Sequence, residues 1–215
     1  MRSRFVLLSV LVVVLAFSGV ASAGSIIIYS TGLDASGAPL APGAVDPHYT
    51  LVSSPTGPGP AFVAEGSPGA FPFPAWPADT SLSQWIDPTP NPNDYSAGGS
   101  FEYDQTFTVS ALGGTLSGFT EVDDAPLSLL INGTLDFISG TEHDPASFSI
   151  PIDGAHGFVV GANLLEVTDT NGVGPTGIRV QFDQSVSGSD VPEPATILLV
   201  LPALATLRLR RSKRV

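Results

Sequence analysis

The chain has 215 residues, 23 of them glycine and 20 proline, with only 13% charged residues and 43% hydrophobic ones, so one core is within reach but long helices are disfavoured. Its 20 acidic and eight basic residues are segregated: residues 24–190 hold nineteen carboxylates and one cation, Arg179, a net charge of −18. That sign repels phosphate backbones and excludes nucleic acid binding, and the absence of cysteine excludes disulfides, thiolate catalysis and cysteine-ligated zinc.

Residues 1–23 read as a secretory signal peptide. Arg2 and Arg4 form a positive start, residues 5–20 an apolar stretch, and Ala21-Ser22-Ala23 a small-x-small site that a signal peptidase would cut before Gly24. A retained membrane anchor is the competing reading. The following residues, 24–184, form the expected folded domain, with strands at 25–30, 48–52, 100–109, 127–131, 147–150, 164–168 and 178–182. The alternation is clearest at 100–109, where Phe101, Tyr103, Phe107 and Val109 face one side and Glu102, Asp104, Thr106 and Thr108 the other. Asn132-Gly133, between apolar runs, signals a tight hairpin, and Asp153-Gly154, Asn171-Gly172 and Gly174-Pro175 mark further turns. Residues 53–93 are proline-rich and read as a long ordered excursion over the domain, outside its sheets. The expectation is an all-β fold, an antiparallel jelly-roll-like β-sandwich. Residues 185–190 are a polar linker.

The end of the chain has three parts in order: Val191-Pro192-Glu193-Pro194, the apolar run 195–207, and a basic cluster with Arg208, Arg210 and Arg211. Thirteen apolar residues fall short of the roughly 20 that span a bilayer, and Pro202 weakens the helix further. The basic cluster would stay cytoplasmic. This tail resembles the PEP-CTERM sorting signal of Gram-negative bacteria. The resemblance implies recognition and cleavage near Pro192, Glu193 and Pro194 by an exosortase, a membrane enzyme, with the short hydrophobic sorting helix removed. It also implies transient attachment to the inner membrane, then display on the cell surface or release. A plain short membrane anchor is the alternative.

Asp123-Asp124, Asn132-Gly133, the run from Gly161-Ala162-Asn163-Leu164 and the closing Gly177-Ile178-Arg179-Val180 resemble a galactose-binding-like jelly roll. The resemblance implies two antiparallel sheets and, for some relatives, carbohydrate binding through loops, which the fold by itself does not establish. Trp76, Trp85 and Tyr95 are candidates for stacking on a sugar ring, or for pinning the excursion to the sandwich; packing is the favoured reading. No cofactor is implied, and calcium is the one ion the composition favours, with Asp34, Asp123 and Asp124 as candidate ligands, although a solvated turn accounts for each. Glu142-His143-Asp144 reads as a polar loop before a metal site. His48, His143 and His156 lack the motifs of hydrolytic sites. The leading expectation is a non-catalytic surface or matrix protein in the exopolysaccharide layer, followed by a carbohydrate-binding module, then a small secreted hydrolase.

Overall fold

The computed structural model describes residues 25–66, 75–94 and 97–183; the expected signal sequence, linker and sorting tail lie outside them. Eleven strands form one antiparallel ladder: β1 (Ile26–Ile27), β2 (Val45–Ser53), β3 (Gly59–Val63), β4 (Ile86–Asp87), β5 (Gly99–Val109), β6 (Thr115–Val122), β7 (Leu127–Ile131), β8 (Thr134–Ser139), β9 (Ala146–Pro151), β10 (Gly161–Asn171) and β11 (Ile178–Phe182). The spatial order is β8-β7-β10-β5-β2-β3-β4-β11-β6-β9, with β1 added to β5. The front layer is β8-β7-β10-β5-β2, the back layer β11-β6-β9, and β3 and β4 turn the corner between them. This is the all-β, jelly-roll-like sandwich expected from the sequence.

Strand alternation builds the core. Phe101, Tyr103, Phe107 and Val109 of β5, Leu165 and Val167 of β10, and Leu127, Leu129 and Ile131 of β7 share one buried cluster with Leu116, Phe148, Val180 and Phe182 of the back layer. Asn132 and Gly133 adopt φ of 49° and 78°, the left-handed pair that a two-residue hairpin needs between β7 and β8. At the two ends of the ladder, Phe137 of β8 meets Phe148 of β9 with ring centroids 5.7 Å apart.

The first strand is shorter than expected. Beyond Ile27 the role of a ladder partner passes to a side chain: Gln105 accepts from Tyr29 N at 2.7 Å and donates to Tyr29 O at 2.9 Å. The chain then crosses to the back layer, where Thr31 N donates to Val180 O and the Ser30 hydroxyl accepts from Phe182 N, both at 3.0 Å. Residues 25–31 thus tie the two layers together.

The proline-rich segment differs from expectation. It supplies β3 and β4, so part of it belongs to the sheet, joined through Phe62↔Asp87 and Val63↔Ile86. Residues 75–85, between β3 and β4, cover the outer face of the back layer. There Arg179 of β11 and Glu121 of β6 are register partners, and their side chains form an ion pair at 2.7 Å while only 4% and 2% exposed. Arg179 also donates to Ala78 O at 2.6 Å, and its guanidinium lies 5.3 Å from the Phe119 ring centroid. Removing one partner of a buried pair strands the other charge. Arg179→Met should therefore cost about 3–5 kcal/mol in alkaline solution, where Glu121 is ionised. Urea unfolding measures it, and the penalty should shrink in mild acid as Glu121 takes up a proton.

Candidate functional site

Three loops converge where the excursion meets β6. Trp76 Nε1 donates to Asp123 Oδ1 at 2.6 Å, and His143 Nε2 lies 2.9 Å from the same oxygen. His143 reaches it from a left-handed backbone, φ 59°, and its N–H donates to Val122 O. Trp76 stacks on Trp85 at 4.3 Å between centroids. The pair forms a second small core with Ala64, and Trp85 Nε1 donates to Pro77 O at 2.9 Å. A Cβ at residue 177 would come within 2.8 Å of the Trp76 ring, so a glycine there lets the indole lie flat on the chain.

Trp76 and Trp85 are 2% and 0% exposed. Neither ring presents a face on which a pyranose could stack, and both serve the packing role, pinning residues 75–85 to the sandwich. Tyr95 lies outside the described residues. Trp76→Ala and Trp85→Ala should each cost about 3–5 kcal/mol of stability, as truncation of a buried aromatic does. Chemical denaturation followed by circular dichroism reads this directly.

The aspartates nominated for calcium are dispersed and engaged. Asp34 Oδ1 accepts from Ser36 N, the Ser36 hydroxyl and Ala38 N, a turn that holds its carboxyl below the ordinary range. Asp124 Oδ2 accepts from Gly172 N at 2.6 Å. Asp123 Oδ1 is shared by the indole and imidazole, and burial raises its carboxyl despite both bonds. Among the described residues no three His, Asp or Glu side chains are grouped to hold a metal ion. His156 sits 2.7 Å from Asp153 Oδ1, within the turn that Asp153 caps, and His48 stacks on Tyr29 at 3.6 Å.

The structure assembles a feature that sequence reading did not single out. Glu166 of β10 lies directly across from Asp104 of β5, and Glu102 stands two residues along on the same outer face. Burial, then the charges of Glu102 and Glu166, push the Asp104 carboxyl up to about 6. Glu166 is held by Gly133 N, which donates to its Oε2 at 2.6 Å. The signal in the sequence was the pair of outward carboxylates in 100–109; the register that adds Glu166 joins distant segments. Beside this face an apolar groove of about 640 Å³, lined by Val45, Val52, Pro58 and Pro60, opens between β2 and β3.

Burial, outweighing the nearby Arg179, likewise raises Glu121 to about 7. Between their ordinary values and these raised ones, the folded chain binds more protons than the unfolded chain, so stability falls as pH rises through that window. Asp34 and Asp153, whose carboxyls are lowered, work the other way and lose their contribution only in stronger acid. The melting temperature should therefore be higher at about pH 5 than at about pH 8, which a calorimetric pH series checks.

No protein-family model matches the chain, and no curated protein matches it. Among solved structures it is similar to the CBM36-1 domain of a multidomain xylanase from the hindgut metagenome of Trinervitermes trinervoides, at 16% identity and a TM-score of 0.23. The match covers 74% of this chain and 94% of that one. A likeness at that score carries no argument about function.

Proposed function

We propose that the chain is an exported, non-catalytic protein of the cell surface or extracellular matrix, sorted by its Pro-Glu-Pro tail and cleaved there. The observation that carries this reading is the distribution of charge. Seven of eight basic residues lie in the two terminal segments, where a translocation signal and a membrane-retained address need them. A marginal apolar span after Pro192-Glu193-Pro194 suits a removable address better than a permanent anchor. The partners are then a signal peptidase at Ala21, Ala23 and Gly24, and an exosortase-like membrane enzyme at 191–194.

The folded domain fits such a destination. Its layers are joined by packing, a buried ion pair secures the covering segment to the back layer, and with no cysteine in the chain its stability does not change with the redox state of its surroundings. The burial of Trp76 and Trp85 removes two of the three aromatics on which a defined glycan ligand would rest. That leaves a structural or interaction role in the exopolysaccharide layer as the better supported reading.

The mass of the mature protein recovered from its native host tests both ends together. The expected product starts at Gly24 and lacks the arginine cluster. A mass that includes Arg208, Arg210 and Arg211 would overturn the sorting role, and one that includes Met1 would overturn export by cleavage.

A further inference from the structure

The chain enters and leaves the folded domain at one end of the sandwich. Ser25 N donates to Ser110 Oγ at 2.7 Å, just past the last residue of β5, and Asp183 N donates to Ser117 O at 2.9 Å near the start of β6. The same end is built from the β5–β6 loop, the β7–β8 turn and the loop between β9 and β10. Register groups them: Gly161 faces Val109, and Thr115 faces Pro151. Gly113 N donates to Ile152 O and Asn132 Nδ2 to Gly157 O, both at 2.8 Å.

This end presents apolar side chains to the outside. Ile27, Leu112, Leu135, Val159 and Val160 are each between 45% and 63% exposed, and they make up more than half of the large hydrophobic side chains exposed among the described residues. Apolar side chains gathered in one place, and not scattered singly, mark a surface that meets something. The backbone beneath the two valines is already satisfied: Asn163 Oδ1 accepts from Val159 N and Asn163 Nδ2 donates to Val159 O, both at 2.8 Å. The loop can therefore leave water without stranding those groups.

Charge is distributed to match. Residues 105–120 and 154–165, which supply most of this end, contain no carboxylate, whereas the β6–β7 and β8–β9 loops at the opposite end carry Asp123, Asp124, Glu142 and Asp144. Of the acids near the apolar end, Asp153 lies 2.7 Å from the His156 imidazole and Glu166 accepts from Gly133 N; Asp136 and Asp183 stand at its margin. Anionic headgroups repel the acidic end and accept the uncharged one. The tether agrees. Eleven residues, 184–194, separate Asp183 from the apolar run 195–207, and fully extended they span at most about 40 Å. They leave from the apolar end, so that end can face a bilayer without the tether passing around the domain.

We propose that this end of the sandwich rests on a lipid bilayer while the tail is attached, with Leu112, Val159 and Val160 among the headgroups and upper acyl chains. The inference rests on reading the tail as a membrane-attached address. A few short side chains give a weak, reversible contact compared with a spanning helix, so the domain is free to leave once the tail is cut. Until then the contact keeps residues 191–194 at the membrane surface, where a membrane enzyme meets them.

The chain has no cysteine, so Leu112→Cys, Val160→Cys and Val173→Cys can each carry one environment-sensitive fluorophore on the full-length protein. Val173 is the control, in the loop whose Gly172 N donates to Asp124 at the opposite end. The labelled chains are reconstituted into vesicles of phosphatidylethanolamine and phosphatidylglycerol, some of whose acyl chains bear a nitroxide quencher. Labels at 112 and 160 should shift to the blue and lose emission to the quencher, and the label at 173 should do neither. Adding Val159→Asp and Val160→Asp should abolish quenching at 112 and leave flotation with the vesicles unchanged. These side chains are exposed, so the melting temperature should hold. Flotation without quenching at 112 and 160, or with equal quenching at 173, overturns the proposal and leaves the sorting role standing. Quenching at 112 that survives the two aspartates overturns it as well. A blue shift that ignores the quencher and accompanies cross-linked dimers assigns the face to a second copy and overturns the bilayer contact. Failure of the full-length chain to float overturns membrane attachment, and this proposal with it.

Discussion

The pairing of Arg179 with Glu121 is the contact on which the arrangement of this domain turns. Strand register sets the two residues opposite each other on the outer face of the back layer, where a sandwich ordinarily meets water. A charge pair is tolerable there without solvent only if its remaining donors are satisfied. Ala78 O supplies that acceptor, so the pair both needs the proline-rich segment above it and holds that segment down. Ser83 and Thr80 extend the attachment, their hydroxyls reaching Gln181 of the same strand. β11 and the adjoining end of β6 are therefore buried on both sides, and the segment can deliver β4 to its place beside β11.

That double burial explains which strands the sequence revealed. β5, β7, β10 and β11 alternate cleanly because their core faces are apolar, and each was expected close to where it lies. β6 was not. Gly118 and Thr120 point into the core, while Phe119 and Glu121 point outward under the covering segment, so its pattern is the reverse of a half-exposed strand. Gly118 is required there because a Cβ would meet Gln181 O. β3 was hidden by Pro60, which sits where pairing with β2 shifts register, and β4 by its length of two residues. β4 is held in part by β11, a neighbour distant in sequence, which local pattern does not record.

The candidate sites were legible to different degrees for related reasons. Composition singled out the two tryptophans, and the choice between platform and pin depended on what lay beneath them. Asp123 was singled out for calcium, yet its partners Trp76 and His143 come from loops on either side of it in the chain. The facing of Glu166 and Asp104 arises from register alone. The terminal segments, in contrast, are read from linear order: a charge, an apolar run and a short motif need no tertiary partner to have meaning.

Placing the one internal cation beneath a covering segment has a consequence for resistance to proteases. Enzymes that cut after lysine or arginine find a single such bond between residues 24 and 190, the one following Arg179. It lies within β11, paired on both sides and covered by residues 75–85. Cleavage there requires the strand to leave the sheet, so resistance to trypsin-like proteases is set by the global unfolding equilibrium and not by loop exposure.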